Sequence, residues 1–236
     1  MMRTGFLCIA MAALMSGEPA FSMGGSSETA LEELNRLVTA HANESSDPRL
    51  LARLSALCLD VGKDVYTDET QRRAAYEEGA RIAKRALDLQ DTNAEAHYLY
   101  AANLGSAAQL KGLTASALTV RELKRHVTRA LELKPDHAPS LHMMGRMLDE
   151  LPWMLGGDAD AALTYLKRAV DADPAYHHAR LDLAKAYLKR NDRGSALREL
   201  SELIGIDDAS SHVADRYQKE GASLLASLQE RERPRR

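Results

Sequence analysis

The 236-residue sequence has little cysteine, few aromatic residues and almost no net charge. It contains two cysteines and 5% aromatic residues, and its formal charge is −3. The near balance of charge excludes a strongly basic nucleic-acid-binding protein, and 45% apolar residues exclude intrinsic disorder. Only seven prolines and fourteen glycines interrupt a sequence rich in alanine, leucine, arginine and glutamate, which favours helices over a β-sandwich. We therefore expect an all-α fold.

The first 22 residues have the pattern of a cleaved export signal. A positive charge at Arg3 precedes an uninterrupted apolar run from Phe6 to Met15, and the small residues Ala20 and Ser22 fit a signal-peptidase site. This run is too short to span a bilayer. We therefore predict that residues 1–22 are removed, that the mature chain has no transmembrane helix, and that the protein is exported, either to the periplasm or out of the cell.

The cysteines do not support a disulfide. Cys8 lies within the predicted signal, so Cys58 is the single cysteine of the predicted mature chain and has no partner within it. Its neighbours Leu57 and Leu59 are apolar, which indicates a buried thiol rather than a nucleophile.

An internal repeat occupies most of the remaining sequence. Four segments end in similar sequences, and their last residues, which are 44, 39 and 34 positions apart, are Asp91, Pro135, Pro174 and Asp208. Each of these endings is preceded by a pair of residues, one large and one small, and the four pairs begin at Leu54, Tyr100, Met144 and Leu183. With another large residue one turn later, each pair forms one face of a helix, and its small residue lets a neighbouring helix approach closely.

The variation in repeat length has one location. The distance in sequence from the second helix of one unit to the first helix of the next is constant at 21 residues. The distance from the first to the second helix of the same unit shrinks from 25 to 13 residues along the chain. The last unit has the 34-residue period of a tetratricopeptide repeat. The other units therefore carry their 12, 10 and 5 surplus residues inside the hairpins. In the first hairpin, the charged stretch from Asp60 to Arg73 is expected to lengthen the second helix.

Amphipathic helices flank the repeats. Residues 27–41 and 213–229 each have an apolar stripe that would cover an end hairpin. We therefore predict a right-handed, tetratricopeptide-like α-solenoid of about four helical hairpins with N- and C-terminal capping helices. Residues 23–47 form the first cap and its linker, 48–210 the repeat array, and 211–236 the second cap with a basic tail.

Three family resemblances rest on these residues and on their layout. The small residue of each first helix, the alanines of each second helix and the closing proline or aspartate resemble the tetratricopeptide repeat over about residues 48–208. A narrower set resembles the regulator of microtubule dynamics family: Glu95-Ala96-His97, Leu110-Lys111-Gly112, His126 and His142-Met143-Met144-Gly145-Arg146. The inserted-hairpin layout is also similar to exported tetratricopeptide proteins associated with bacterial TRAP transporters, in which the repeat protein accompanies a periplasmic ligand-binding subunit.

No set of residues for catalysis is recognisable. A Gly-x-Ser-x-Gly elbow, a phosphate-binding glycine loop, His-Glu-x-x-His and paired cysteines are all missing from the sequence. Eight histidines are scattered, and the adjacent His177 and His178 point to two sides of a helix, so they do not chelate one ion as a pair. We therefore expect no enzymatic activity, no cofactor and no metal site.

The tetratricopeptide resemblance implies a partner-binding groove lined mainly by the first helices. Several residues expected there are cationic and suit the carboxylates of a peptide or an anionic ligand. The candidate groove residues are Arg49, Arg53, Tyr98, His142, Arg146, Lys185 and Lys189. The alternative is a solvated helix face.

The surplus residues form a second candidate surface. Residues 106–120 are apolar for a surface excursion, so their leucines are expected to be buried. The only tryptophan lies in the next hairpin, and the two stretches either form an apolar lip for a partner helix or small ligand, or pack together as core. The candidate lip residues are Leu110, Lys111, Leu113 and Trp153.

The sequence thus favours a non-catalytic scaffold of the cell envelope that binds a protein partner in its groove and does not bind nucleic acid. Two alternatives stay open. One is an accessory protein of a TRAP transporter that contacts a small ligand, and the other is an adaptor like the regulators of microtubule dynamics.

We expect the mature protein, isolated from its native host, to begin at Met23, because the predicted signal-peptidase site ends at Ser22. Intact-mass measurement and sequencing of the N-terminal peptide test this. A mature chain that retains Met1 or Met2 would contradict the predicted cleavage.

Overall fold

The computed structural model describes residues 25–112, 117–207 and 212–230. Within these ranges the chain forms ten α-helices and no β-strand, so the predicted all-α fold class is confirmed. None of the helices in the described ranges has both the length and the hydropathy that crossing a lipid bilayer requires. The chain divides into two compact units, residues 1–134 and 135–236.

The first unit consists of a leading helix and two helical hairpins. Its helices are α1 (Gly25–Thr39), α2 (Pro48–Asp60), α3 (Glu69–Leu89), α4 (Ala94–Leu110) and α5 (Ala117–Leu133). Asp47 caps α2 ahead of Pro48, where the missing proline N–H needs no partner, and the side chains of Asp68 and Asn93 cap α3 and α4. A π-helical turn, Val61–Val65, extends the end of α2.

The second unit consists of two hairpins and a closing helix. Its helices are α6 (Ala138–Glu150), α7 (Ala159–Ala172), α8 (His177–Lys189), α9 (Arg193–Gly205) and α10 (His212–Glu230). Asp158 accepts hydrogen bonds from the backbone N–H groups of Asp160 and Ala161 at 3.0 Å and so caps α7. The last hairpin closes through a tight turn, with Asn191 at a φ of 59° and Asp192 capping α9.

The helix bounds locate the surplus residues inside the hairpins, as predicted. Successive hairpins are joined by four residues each, at 90–93, 134–137 and 173–176. Within the first hairpin, only residues 69–73 of the stretch expected to lengthen the second helix belong to it, as the start of the 21-residue α3. Asp60 ends α2 instead, and residues 61–65 form the π-helical turn. In the second hairpin both helices reach 17 residues.

The predicted surface excursion over residues 106–120 is wrong for its described part. Residues 106–110 complete α4 and residues 117–120 begin α5, because the alanines of this stretch favour helix. Ala107 and Ala108 are buried, but Leu118, expected to be buried, is 71% exposed. Leu113 lies outside the described residues.

Apolar side chains of α1, α2 and α3 form the main core of the first unit. Leu54 and Ile82 are almost fully buried there, and Leu34 attaches α1 to them, as expected for a capping helix. Cys58 belongs to this core, and burial raises the pKa of its thiol well above the ordinary value. The thiol is therefore a packing residue rather than a nucleophile.

A buried polar contact joins α2, α3 and α4. The Ser55 hydroxyl donates to the Gly79 carbonyl at 2.8 Å, and the Asn103 amide nitrogen donates to the Ser55 hydroxyl at 3.1 Å and to the Leu99 carbonyl at 3.0 Å. A Cβ atom at Gly79 would lie 2.4 Å from the Asn103 side-chain oxygen. The helices can therefore approach this closely only because residue 79 is glycine.

The second unit uses a small residue in the same way. A Cβ atom at Gly145 of α6 would lie 2.8 Å from Leu166 of α7, so the small residue of this motif has the predicted packing role. At the other end, Tyr217 and Leu228 of α10 are buried against the core of α8 and α9. This confirms α10 as a capping helix.

We expect Gly79→Ala to lower the free energy of unfolding by about 1–2 kcal/mol, because displacing Asn103 disrupts buried hydrogen bonds at a cost that exceeds the gain in helix propensity. The matched control is Gly205→Ala, since a Cβ atom there meets nothing within 4 Å. Urea denaturation followed by circular dichroism measures both variants. Equal stability of the two variants would show that Gly79 has no special packing role.

Candidate functional site

Two of the predicted groove residues line an open groove in the first unit. Arg49 and Arg53 lie there on α2, together with Glu95 and Leu99 of α4. The Arg53 guanidinium donates two hydrogen bonds to Glu33 of α1, at 3.1 and 2.5 Å, and this pairing raises the pKa of Arg53. The leading helix therefore orients a groove residue as well as covering the core.

Tyr98 lies beside this groove and is half-buried. It packs against a small apolar cluster formed by Ala52, Ala83 and Leu99. Its ring is thus part of the contact between the first two hairpins.

Asp182 of α8 is the centre of a charged cluster in the second unit. Its Oδ2 atom accepts a hydrogen bond from His142 Nε2 of α6 at 2.8 Å and lies 3.4 Å from His178 Nε2 and 3.5 Å from Arg146 Nε. The Lys185 Nζ atom lies 3.8 Å from Oδ1. We call these five residues the Asp182 cluster.

The Asp182 carboxylate is stabilised in its ionised form. Burial alone would raise its pKa, but the hydrogen bond from His142 and the positive charges of His178 and Arg146 outweigh burial and lower the pKa to about 2. Asp182 therefore carries a full negative charge at every physiological pH and attracts cationic groups from α6 and α8.

Aromatic rings enclose the two histidines of the cluster. The Tyr176 hydroxyl lies 3.3 Å from His142 Nδ1, and the two rings meet edge to face. The His178 ring stacks on Tyr217 of α10 with centroids 4.6 Å apart and an interplanar angle of 17°. The closing helix therefore contributes a side chain to this site.

The cations of this face are more exposed than the aspartates that hold them. The side chains of Arg146 and Lys185 are 41% and 42% exposed, whereas that of Asp182 is 15% exposed. Lys189 repeats the pattern, since it is 59% exposed and lies 2.5 Å from Asp149, which is 17% exposed. The aspartates thus lie beneath a layer of positive charge.

Two exposed glutamates contact the same cations. Arg146 binds Glu150 on its own helix, and Lys185 lies 2.8 Å from Glu220 of α10. Their side chains are 59% and 50% exposed, so each can move away from its cation when a competing carboxylate arrives.

Part of this site is not predictable from the sequence. His142, Arg146 and Lys185 are predicted from their place on first helices, and the structure brings them together. The sequence places Asp182 on the same first-helix face as Lys185, but it does not identify Asp182 as the centre of the site or pair His178 with His142. The available signal was the four-residue spacing of His178 and Asp182, which places both on one face of α8.

The candidate lip residues fall in different units. In the first unit, Leu110 is half-buried, and Lys111 is exposed and lies 2.5 Å from Glu77. In the second, Trp153 is 82% exposed, so it does not pack as core. It begins the 3₁₀ turn Trp153–Leu155, which is followed by Gly156 at a φ of 87°.

A buried histidine pair lies between α4 and α5. His97 Nδ1 and His126 Nδ1 are 2.8 Å apart, and His97 Nε2 donates to the Asp91 carbonyl at 2.9 Å. Burial, the charge of Arg125 and then that of His97 lower the pKa of His126 to about 4. This histidine is therefore neutral at physiological pH and serves to join the two helices.

Comparisons with known families agree with the helical hairpins. A tetratricopeptide-repeat family model matches residues 154–219, and the model of regulator of microtubule dynamics protein 1-3 matches residues 22–149. The helical hairpins and the match to the tetratricopeptide-repeat model define a tetratricopeptide-repeat protein. More narrowly, the chain belongs to the regulator of microtubule dynamics family.

Curated relatives include regulator of microtubule dynamics protein 1 from Pongo abelii, 32% identical, with the alignment covering 85% of this chain and 68% of the relative. The Homo sapiens protein of the same name is 31% identical, with coverage of 76% and 62%. Regulator of microtubule dynamics protein 3 from Xenopus laevis is 27% identical, with coverage of 63% and 34%.

Solved structures with similarity to this chain have lower sequence identity. A fragment of MamA from Desulfovibrio magneticus RS-1 is 13% identical with a TM-score of 0.46, and the alignment covers 90% of this chain and 99% of the fragment. YrrB, described as a tetratricopeptide protein with an unusual peptide-binding site, is 19% identical with a TM-score of 0.44, and the coverage is 90% and 97%.

We expect Asp182→Asn to lower the free energy of unfolding at pH 7 by about 1–3 kcal/mol, because it removes a buried charge that pairs with several cations. Since the pKa of Asp182 is depressed to about 2, its stabilisation is present above the unfolded-state pKa of about 4 and fades as the pH falls from there toward 2. The difference between wild type and variant should therefore shrink in this range.

Urea denaturation at pH 7, 5 and 3 measures the difference. The control is Asp88→Asn, which removes an exposed ion pair with Lys84 and should change stability by less than about 1 kcal/mol. A variant that matches the wild type at pH 7 would contradict the assigned role of Asp182.

Proposed function

We propose that this protein is an exported, non-catalytic adaptor that binds an acidic segment of a protein partner on the first-helix face of its second unit. The observation that carries the proposal is the layer of exposed cations, Arg146, Lys185 and Lys189, above the less exposed aspartates. The tetratricopeptide fold supports protein binding, and the signal-like pattern of residues 1–22 supports export.

The arrangement suits an extended or helical peptide with carboxylate side chains. Guanidinium and ammonium groups form charge-assisted hydrogen bonds with carboxylates, which are roughly twice as strong as neutral ones. Asp182 and Asp149 hold the cations in place before the partner arrives, so less side-chain entropy is lost on binding. In the first unit, Arg53 held by Glu33 offers a second preorganised cation.

Site-specific photocrosslinking in the native host tests the proposed surface. With benzoylphenylalanine at Met143, which is half-buried and lies three residues before Arg146 on α6, we expect covalent adducts with a partner. At the exposed Thr164 of the second helix α7 we expect few or none. Combining the Met143 probe with Arg146→Ala, Lys185→Ala and Lys189→Ala should lower the adduct yield at least tenfold, since each lost contact to a charged group weakens binding by ~1–3 kcal/mol.

The matched control for the triple variant is Lys219→Ala, which removes an exposed lysine that pairs with Asp215 on its own helix. The adduct yield with this control should equal that of the wild type. Rising salt should lower the yield, because exposed charge pairs are screened. Equal adducts from the wild type and the triple variant, or adducts only at position 164, would remove this face as the binding surface.

A second candidate function is supported by the family relationship alone. The relatives are named regulators of microtubule dynamics, so the partner would be a microtubule component if the chain stays in a eukaryotic cytosol. Co-sedimentation of the full chain with polymerised tubulin separates the two candidates. Retention of residues 1–22 in the mature protein would favour the second.

A further inference from the structure

The geometry points to a binding site for one divalent first-row transition-metal ion, such as Zn²⁺, formed by His142, His178 and Asp182. This inference departs from the expectation of no metal site and does not depend on the proposed partner. One ligand atom from each of the three side chains lies within 4.8 Å of the other two, and in the described part of the chain no other group of three His, Cys, Asp or Glu residues meets this condition.

The donor distances match those around a bound ion. His142 Nε2 and His178 Nε2 lie 2.8 and 3.4 Å from Asp182 Oδ2. Metal–ligand bonds of about 2.1 Å place neighbouring donors about 3.0 Å apart in octahedral geometry and about 3.4 Å apart in tetrahedral geometry. Two of the three separations therefore need only small side-chain movements to accept an ion.

The chemistry of the donors selects the class of ion. Two imidazoles and one carboxylate suit zinc, iron, cobalt or nickel, whereas calcium and magnesium prefer oxygen ligands alone. The three side chains are between 6% and 20% exposed. This burial restricts competition from bulk water, while the remaining exposure leaves an open position for an incoming ligand.

Residues around the three donors orient them. The Tyr176 hydroxyl lies 3.3 Å from His142 Nδ1, so with an ion on Nε2 the Nδ1–H group can donate to this hydroxyl. Stacking on Tyr217 fixes the plane of the His178 ring. A partner on the second ring nitrogen is typical of metal-bound histidine and fixes its tautomer.

Two neighbouring cations compete with the ion for Asp182. Arg146 and Lys185 lie 3.5 and 3.8 Å from its carboxylate oxygens, and their charges oppose a second cation. Each has another carboxylate partner, Glu150 and Glu220 respectively, to which it can remain bound. Removing the charge of Arg146 should therefore raise the affinity of the site for the metal ion. A helix face whose charges do not act on the ion would not show this gain.

The test uses the full chain without an affinity tag, freed of metal by a chelator. Titration calorimetry should show one Zn²⁺ ion bound per chain with a Kd in the micromolar range or lower. Co²⁺ should give visible d–d absorption. Because the site joins α6 to α8, Zn²⁺ should also raise the melting temperature. His178→Gln should weaken binding at least tenfold, and Arg146→Gln should strengthen it.

His41→Gln is the matched control, because His41 is an exposed histidine of the first unit. It should bind Zn²⁺ like the wild type. Circular dichroism verifies that each variant is folded, and His178 is chosen over the more deeply buried His142 for that reason. Absence of a Co²⁺ spectrum and of a melting shift in the wild type, or equal Zn²⁺ affinity in wild type and His178→Gln, would overturn the site.

Discussion

Close approach of neighbouring helices at small residues is the constraint on which the rest of this structure depends. In the first unit, Gly79 leaves room for Asn103 and Ser55 to form a buried hydrogen-bonded contact among three helices. In the second, Gly145 lets α6 pack directly on Leu166 of α7. These contacts fix the rotation of each first helix about its axis, and that rotation decides which side chains face outward. The chemistry of the exposed face is therefore a consequence of packing beneath it.

Asp182 links that packing to the surface chemistry. A carboxylate at this depth would be unfavourable if it were alone, since burial raises its pKa. Groups from two first helices compensate by surrounding it with two histidines, an arginine and a lysine. The same arrangement places cations on the exposed face and two imidazoles beside a carboxylate. The proposed partner binding and the proposed metal binding would therefore draw on one charge, and each would alter the other through Arg146.

Most of the fold could be predicted from the sequence because the repeat has a strong local signal. The large–small pairs, the flanking amphipathic helices and the constant spacing between hairpins all correspond to observed features. The prediction for the stretch around Leu118 is wrong because an apolar run with few helix breakers is compatible with two structures. It can form an excursion with buried leucines, or it can extend the neighbouring helices. Only the packed structure distinguishes them.

The candidate site was less predictable because it depends on pairs of residues far apart in sequence. His142 and Asp182 are forty positions apart, and nothing in their local surroundings indicates that they meet. Single residues such as Arg146 could be placed on a face from their position in the repeat. Their partners, and the burial that gives Asp182 its low pKa, arise only when successive first helices stack side by side.

The stacking of Tyr217 on His178 gives the closing helix a second role. A terminal helix whose task is only to shield apolar surface from water can be exchanged for any other of similar shape. Here the shield also places a ring against His178, so lengthening the array by another hairpin would displace that ring from its neighbour. The number of repeats and the surroundings of His178 are consequently set together.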